Sequence, residues 1–445
     1  MAERITLQVH VDGRWHVAAT VEPGPGHGDA STFAYDMEYC LRHDPGMIGS
    51  VIGNTALSVR LPLSLEWQKF SHWPPFLLDL LPQGHARQRL AKALNLNPDS
   101  SACELPLLLR AGGAPIGNIR VREAWQAEQV RLANVTPRGT TLDDVFDLNE
   151  RFLEMANDFV AVASGSSGVQ GAWPKMLLTK ATDGLWYPDP VVADDHAVEH
   201  AIIKWIGDRH TSTRQILAAE APYLELARAF GLRCAAPLRH RGNVLLMPRF
   251  DRRVEDGKVI RLGQESLVSA TGVAAFGHID SHETYLDVIR AVCDDPAEEV
   301  IEYVLRDVLN LAMGNPDNHG RNTALQKDAD GTIRLTPLFD FCPMRLDPTG
   351  VARSTSWACM KEFGKRSRDL TPDWSEVCEV AAAGVMPAAK LKCALASKSE
   401  ILRRLPEMAR DMGVDGEVIQ RAMARCKEMA DAIGTLRYEA GHGPH

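Results

Sequence analysis

Residues 310–341 read NLAMGNPDNHGRNTALQKDADGTIRLTPLFDF. Asp317 is followed five residues later by Asn322, and Asp340 comes eighteen residues after that, within the apolar run Leu338-Phe339-Asp340-Phe341. Two acids and an amide in this order are the oxygen donors that phosphoryl transfer uses, one to orient a hydroxyl and two to hold Mg²⁺ against a triphosphate. The turn formers Asn315-Pro316-Asp317-Asn318-His319-Gly320 predict a loop after a helix over 304–313. An Asx turn alone explains an Asp there, but it does not require Asn322 and Asp340 at these distances. Asp340 is a carboxylate in apolar company; an unpaired buried charge is costly, and a bound Mg²⁺ removes that difficulty. His319 either donates to a phosphate or braces the loop.

The spacing, Asp, four residues, Asn, then a short hairpin ending in Asp, is that of the catalytic and metal loops of protein kinases. Upstream, HAIIKW predicts a strand with Lys204 at its end, and Glu220 lies on a helix over 214–230 that Gly231 stops. That order matches the strand lysine and helix glutamate that pair over nucleotide phosphates in kinases. Taken alone, Lys204 reads as a snorkelling strand end; beside the downstream residues it reads as a phosphate contact. The stretch Ser164-Gly165-Ser166-Ser167-Gly168-Val169-Gln170-Gly171-Ala172-Trp173-Pro174-Lys175 enters a strand over 176–180. Such a loop can wrap phosphates with its backbone N–H groups or be a flexible surface loop. Gln264 and Glu265 either cap the following helix or face the adenine and ribose of ATP.

Around these motifs the chain is ordinary. With 445 residues it has room for two or three domains, and 45% hydrophobic with 24% charged residues suits a soluble globular protein. No window reaches the roughly 18 apolar residues of a membrane span. The first residues, MAERITLQVHVDGRW, read as an amphipathic strand without a secretory core. Nine cysteines without CxxC pairing suit thiols in a reducing cytoplasm. A formal charge of −9 gives no global reason for nucleic-acid binding, so any DNA contact is local or borrowed from a partner. No HExxH, His/Cys cluster or GxSxG elbow supports zinc or serine-hydrolase chemistry.

In order, strands are expected over 5–11 and 15–21 around an Asp12-Gly13 turn, then a strand-rich stretch over 34–60. A basic amphipathic helix is expected over 86–94, and helix, Gly turn and strand over 103–121. A polar connector over 126–140 reads as a boundary, and a helix opened by Thr141 follows to residue 162. From residue 281 the pattern is mostly helical. The expected fold is α+β and two-lobed, protein-kinase-like, with β-rich N-terminal subdomains and a mostly helical C-terminal lobe. The expected divisions are 1–125, 141–265 with the Gly-rich loop, and 266–445 with the catalytic and metal loops.

The ordered motifs resemble the HipA family, bacterial serine/threonine-kinase toxins of type II toxin–antitoxin modules. FLLDLLPQG at 76–84 and GGAPIGNIRV at 112–121 resemble its N-terminal signatures, and GVQ with PKMLL at 168–178 its phosphate loop. IIK at 202–204, Glu220 with Leu226-Ala227, RFDR at 249–252, RLxQE at 261–265, NxDxHxxN at 315–322 and the FD pair at 339–340 follow in the family's order. The resemblance implies Asp317 as catalytic base and Asn322 with Asp340 as Mg²⁺ ligands. It implies ATP contacts from Lys204, Gly168, Val169, Gln170, His319 and Gln264 or Glu265, with Glu220 as a structural ion-pair partner. It also implies a small helix-turn-helix antitoxin, DNA reached only through that antitoxin, and a protein substrate such as an aminoacyl-tRNA synthetase.

Two departures stand out. The family runs GxQPK, whereas Gly171-Ala172-Trp173 stand between Gln170 and Pro174 here. The family's loop also carries an autophosphorylated serine, and Gly165 occupies one usual Ser position here; Ser166 or Ser167 is expected in that part, with Ser164 the lesser candidate. Two other functions compete. A small-molecule kinase shares the Asp, Asn, Asp economy, but its loop usually reads HGD rather than NPD. A pseudokinase serving as corepressor would not need the complete set of Lys204, Asp317, Asn322 and Asp340.

Overall fold

Strand β1 (Ile5–Val11) is buried along almost its whole length because it is an inner strand with a neighbour on each side. In this computed structural model it pairs antiparallel with β2 (Arg14–Pro23) and with β5 (Ile119–Val121). Strands β3 (Ser31–Tyr35) and β4 (Gln68–Phe70) complete a sheet of order β4-β3-β2-β1-β5. Asp12 and Gly13 both have positive φ, 53° and 75°, the backbone that a tight hairpin between twisted strands needs. Ile5, Leu7, Val9, Phe33, Phe76 and Leu77 form the centre of its core.

The structure describes residues 4–24, 30–47, 49–133, 138–163, 173–207, 210–359 and 371–437. The Gly-rich loop residues Ser164, Ser166, Ser167, Gly168, Val169 and Gln170, and the inserted Gly171 and Ala172, lie outside them. The chain divides into two compact units. The first comprises Met1–Ile206, Val244–Phe276 and Gln326–Ile333; the second comprises Gly207–Asn243, Gly277–Leu325 and Arg334–His445.

Helices α1 (Met37–His43), α2 (Gly84–Ala93), α3 (Glu104–Ala111) and α4 (Arg122–Leu132) belong to the first unit. So do α5 (Leu142–Phe146), with a Thr141–Asp144 capping box, and α6 (Glu150–Ala163). Two expectations need correction here. The stretch after residue 35 is not strand-rich: Asp36 caps α1 by accepting from the Tyr39 N–H, and Tyr39 and Cys40 turn inward. The segment from Gln126 is not a connector at its start, because α4 carries it to Leu132. Its only buried residues are Ala124 and Glu128, so it shows no apolar periodicity to read.

A second sheet in this unit is built from β6 (Lys175–Ala181), β7 (Trp186–Pro188), β8 (Ala197–Trp205) and β9 (Val244–Pro248), adjacent in the order β7-β6-β8-β9 and antiparallel throughout. Met176, Leu178, Ala201, Ile203, Val244 and Leu246 share one face and pack with Val145 of α5 and Phe152 and Met155 of α6. Side chains alternate along a strand, so Lys175 and Lys204 stand on the other face.

The second unit is helical. It holds α7 (Thr211–Phe230), ended by Gly231 at φ 102°, then α8 (His282–Val292) and α9 (Pro296–Ala312). Five further helices follow: α10 (Trp374–Ala382), α11 (Ala388–Ala396), α12 (Ser399–Asp411), α13 (Gly416–Ala422) and α14 (Cys426–Gly434). Asp295 caps α9 by accepting from the Glu298 N–H, and Pro296 sits in its first turn, where no N–H is needed. Most of α9 is buried, charged residues included. No helix among the described residues is long and apolar enough to cross a membrane.

Candidate active site

The site is built from the C-terminal end of α9 forward. Gly314 follows the helix at φ 67°, and a Cβ there would lie 2.6 Å from the Ala422 carbonyl oxygen, so the exit is restricted to glycine. Asn315 is tied back to the helix: its N–H donates to the Asn310 carbonyl and its amide to Asn310 Oδ1, both at 2.9 Å. Its own Oδ1 accepts the Asp317 N–H at 3.3 Å. The Asn322 N–H donates to the His319 carbonyl at 2.8 Å, and the Asn322 side-chain amide donates to the Asp317 carbonyl at 2.9 Å. The loop thus closes on itself through backbone groups that a surface turn would leave to water. A Cβ on Gly320 would overlap the Tyr285 ring end at 2.3 Å, so α8 packs directly on the loop's backbone.

Asp340 arrives from a different direction. The Leu338 N–H donates to the Arg233 carbonyl at 2.7 Å, and Leu338 bridges in parallel to Cys234. Phe341 is buried against Tyr223 of α7, ring centroids 5.6 Å apart. Between these anchors Asp340 takes φ 52°, a left-handed backbone uncommon outside glycine and tolerated best by Asn and Asp. Held in this way, Asp317, Asn322 and Asp340 line one pocket, with Asn310, Asn315, Asn318, Thr323, Leu338 and Phe339. His319 Nε2 lies 3.5 Å from Asp317 Oδ1.

A buried polar cluster supports the same pocket. Asp307 of α9 accepts from Arg353 Nη2 at 2.5 Å and from Trp357 Nε1 at 2.9 Å. Burial pushes its pKa up, but Arg353, His282 and the Trp357 hydrogen bond outweigh that and hold the carboxyl below its ordinary range. His282 stacks on Trp357 at 4.5 Å, and its Nδ1 lies 2.9 Å from the Tyr303 hydroxyl. Arg353 Nη2 stands 3.0 Å from His282 Nε2. Burial, reinforced by Arg353 against the opposing pull of Asp307, lowers its pKa to about 4, so the ring is neutral. Asn318, next to Asp317, clamps the same downstream segment. Its Oδ1 accepts the Ser354 and Thr355 N–H groups at 3.2 Å, and its amide donates to the Thr355 carbonyl at 3.0 Å.

Sequence reasoning missed His282, Asp307, Asn318 and Arg353. The available signal was polar residues at core positions: Asp307 is one of four charged residues buried along α9, with Glu299, Glu302 and Arg306.

Glu220 is fully buried on α7. Lys204 is buried on β8, with its ammonium 4.6 Å from the centroid of the Trp173 ring. The Glu265 carboxylate is engaged within the first unit. Its two oxygens accept from Ser58 Oγ at 2.5 Å and the Val59 N–H at 2.9 Å, and it is 1% exposed. Burial raises its pKa against the opposing charge of Lys327, whose ammonium donates to the Ala56 carbonyl at 2.6 Å. It is a clasp within the first unit. Its neighbour Gln264 packs against Gly117 and keeps a buried amide nitrogen with no hydrogen-bond partner among the described residues.

Comparison with known proteins follows the same lines. The chain is 27% identical over 396 residues, 85% of its own length and 87% of the relative's, to a Sinorhizobium fredii protein named "Putative kinase Y4mE". Its fold matches the Shewanella oneidensis HipA solved with HipB and operator DNA, with a TM-score of 0.65 and 16% identity over 97% of this chain and 99% of that one. The HipA N-terminal domain matches residues 9–122, and the HipA-like C-terminal domain matches residues 167–431. With the second match alone taking in more than half of the chain, and with the loop from Asn315 to Asn322 inside it, the chain belongs to the HipA family.

Proposed function

We propose that this chain is an ATP- and Mg²⁺-dependent serine/threonine protein kinase that acts in the cytoplasm as a growth-inhibiting toxin. The observation that carries the reading is the convergence of Asp317, Asn322 and Asp340 on one pocket. Asp317 accepts the proton of the substrate hydroxyl, and the hydrogen bonds of its N–H to Asn315 Oδ1 and of its carbonyl from the Asn322 amide hold it ready. His319, beside Asp317, is available to a phosphate oxygen.

The donor set fits Mg²⁺, which takes hard oxygen ligands and is usually held by one or two carboxylates with substrate phosphates. Asp340 supplies a carboxylate. Asn322 commits its amide nitrogen to the Asp317 carbonyl, which leaves its side-chain oxygen for the ion. When bound, Mg²⁺ neutralises charge on the transferring phosphates. Lys204, Gln264 and the backbone of Gly168, Val169 and Gln170 are assigned to the nucleotide by family pattern. Ser166, Ser167 or Ser164 takes the phosphate in autophosphorylation, where roughly two added negative charges repel the nucleotide.

The relative solved with HipB and operator DNA supports pairing with a small helix-turn-helix antitoxin, through which DNA is reached. The target proposed is a component of translation, of the aminoacyl-tRNA synthetase kind. Incubating the purified chain with γ-labelled ATP and Mg²⁺, followed by phosphoamino-acid analysis, tests the reading. Label on serine or threonine is expected. No transfer to the chain itself or to a synthetase panel overturns it.

A further inference from the structure

Asn318 directly follows the proposed base, yet its side chain takes no part in closing the loop. That closure runs through Asn315 and Asn322, which hold the Asp317 N–H and carbonyl. Asn318 reaches instead to residues 36 and 37 positions further along the chain. Its Oδ1 accepts the Ser354 and Thr355 N–H groups, and its amide donates to the Thr355 carbonyl at 3.0 Å. One side chain thereby engages both backbone groups of the buried Thr355. The Asn318 N–H, in turn, donates to the Pro316 carbonyl at 2.8 Å, closing a tight turn with Asp317 at its centre.

The segment that Asn318 grips is anchored on α8 and α9. Arg353 and Trp357 both donate to Asp307 of α9. In the first turn of α8, the His282 N–H donates to the Ser356 carbonyl at 3.2 Å and the Glu283 carboxylate accepts the Ala358 N–H at 2.8 Å. Asn318 lines the pocket with Asn322, but the two amides differ in what they offer. The Asn318 oxygen already holds two N–H donors, and its nitrogen is committed to a carbonyl. The side chain is thus set up to hold backbone rather than an ion.

We infer that Asn318 is a positioning residue for the acceptor step: it ties Asp317 to the anchored 353–357 segment and so fixes where the base meets the substrate hydroxyl. The torsions of the turn decide where the Asp317 carboxylate points, and a misplacement of about 1 Å can cost about 100-fold in rate. This role rests on the reading of Asp317 as the base of a phosphoryl transfer. It adds a residue that acts through the base and leaves the nucleotide alone.

The test measures transfer from γ-labelled ATP with Mg²⁺ to the full chain itself and to a synthetase panel, as maximal rate and half-saturating ATP concentration. Wild type, Asn318→Ala, Trp357→Phe and the double variant Asn318→Ala/Trp357→Phe are compared, and thermal unfolding reports on folding. Asn318→Ala should lower the maximal rate by about 10- to 100-fold. Its half-saturating ATP concentration should not move, since nucleotide binding is untouched. Trp357→Phe keeps an aromatic ring beside His282 and removes the hydrogen bond to Asp307. It should slow wild type by about 2- to 10-fold, the scale of one hydrogen bond. In the Asn318→Ala background it should slow nothing further, because the segment is then already uncoupled from the base.

Equal maximal rates in wild type and Asn318→Ala overturn the inference and leave the kinase reading intact. A raised half-saturating ATP concentration at an unchanged maximal rate overturns it too, because Asn318 then serves the nucleotide. Full additivity of the two substitutions shows that the segment does not act through Asn318, and overturns it as well. If wild type transfers no label, the kinase reading falls and the inference falls with it. If Asn318→Ala unfolds, Asn318→Ser replaces it in the same comparison.

Discussion

The side-chain amide of Asn322 donates to the backbone carbonyl of Asp317 at 2.9 Å. The residue proposed for the metal thereby fixes the loop that carries the proposed base, so the two functions are not separable by substitution. Asn322→Ala should lower the rate of phosphoryl transfer by about 10²-fold or more, on the scale of one lost preorganised group. It should also raise the Mg²⁺ concentration needed for half-maximal rate. Steady-state rates across a Mg²⁺ series check both, and an unchanged maximal rate would contradict the arrangement.

Gly320 and Tyr285 make a second coupling. A methyl group at residue 320 would sit 2.3 Å from the end of the buried Tyr285 ring. Gly320→Ala should cost about 1–3 kcal/mol of stability, the usual scale of overpacking. Urea unfolding measures this directly.

His282 gives the second unit a pH dependence whose sign follows from its environment. In the folded chain it stays neutral down to about pH 4, while the unfolded chain titrates near 6.5. The unfolded state binds the extra proton between those values, so stability rises with pH across that window and falls on acidification. The size is on the order of 3 kcal/mol between pH 7 and pH 4. His282→Asn should flatten this slope in urea titrations at a series of pH values. A slope identical to that of wild type would show that the ring is already charged when folded.

Glu265 separates a clasp from a nucleotide contact. Glu265→Ala removes the acceptor for Ser58 and Val59 and leaves the buried Lys327 without its opposing charge, a loss of about 3–5 kcal/mol. Glu265→Gln should be milder, and in the folded variant ATP affinity should stay within about 3-fold of wild type, well under the tenfold that each 1.4 kcal/mol of lost contact would give. Differential scanning calorimetry with an ATP titration checks both halves.

The readable parts of this chain were those whose cause is local. The β1–β2 hairpin rests on two adjacent residues of positive φ, and the end of α7 rests on Gly231. The spacing of Asp317, Asn322 and Asp340 was visible because only a loop and a hairpin separate them. What brings them together was not. The Arg233 carbonyl that anchors Leu338 and the Tyr223 ring that covers Phe341 come from more than a hundred residues upstream. The partners of Glu265 were hidden for the same reason, since Ser58 and Val59 lie about two hundred residues away in sequence. Its neighbours in sequence could not show that its oxygens were already taken. In α4, a buried Glu128 stands where an apolar residue would have marked the helix.

The most direct test of the pocket compares phosphoryl transfer and ATP binding in wild type, Asp317→Asn and Asp340→Asn with γ-labelled ATP and Mg²⁺. Asp317→Asn should lose about 10²- to 10⁴-fold in transfer, the contribution of a positioned base, while binding ATP nearly as wild type does. Asp340→Asn should lose the Mg²⁺-dependent part of ATP binding as well. Transfer at the wild-type rate by Asp317→Asn would contradict the assignment.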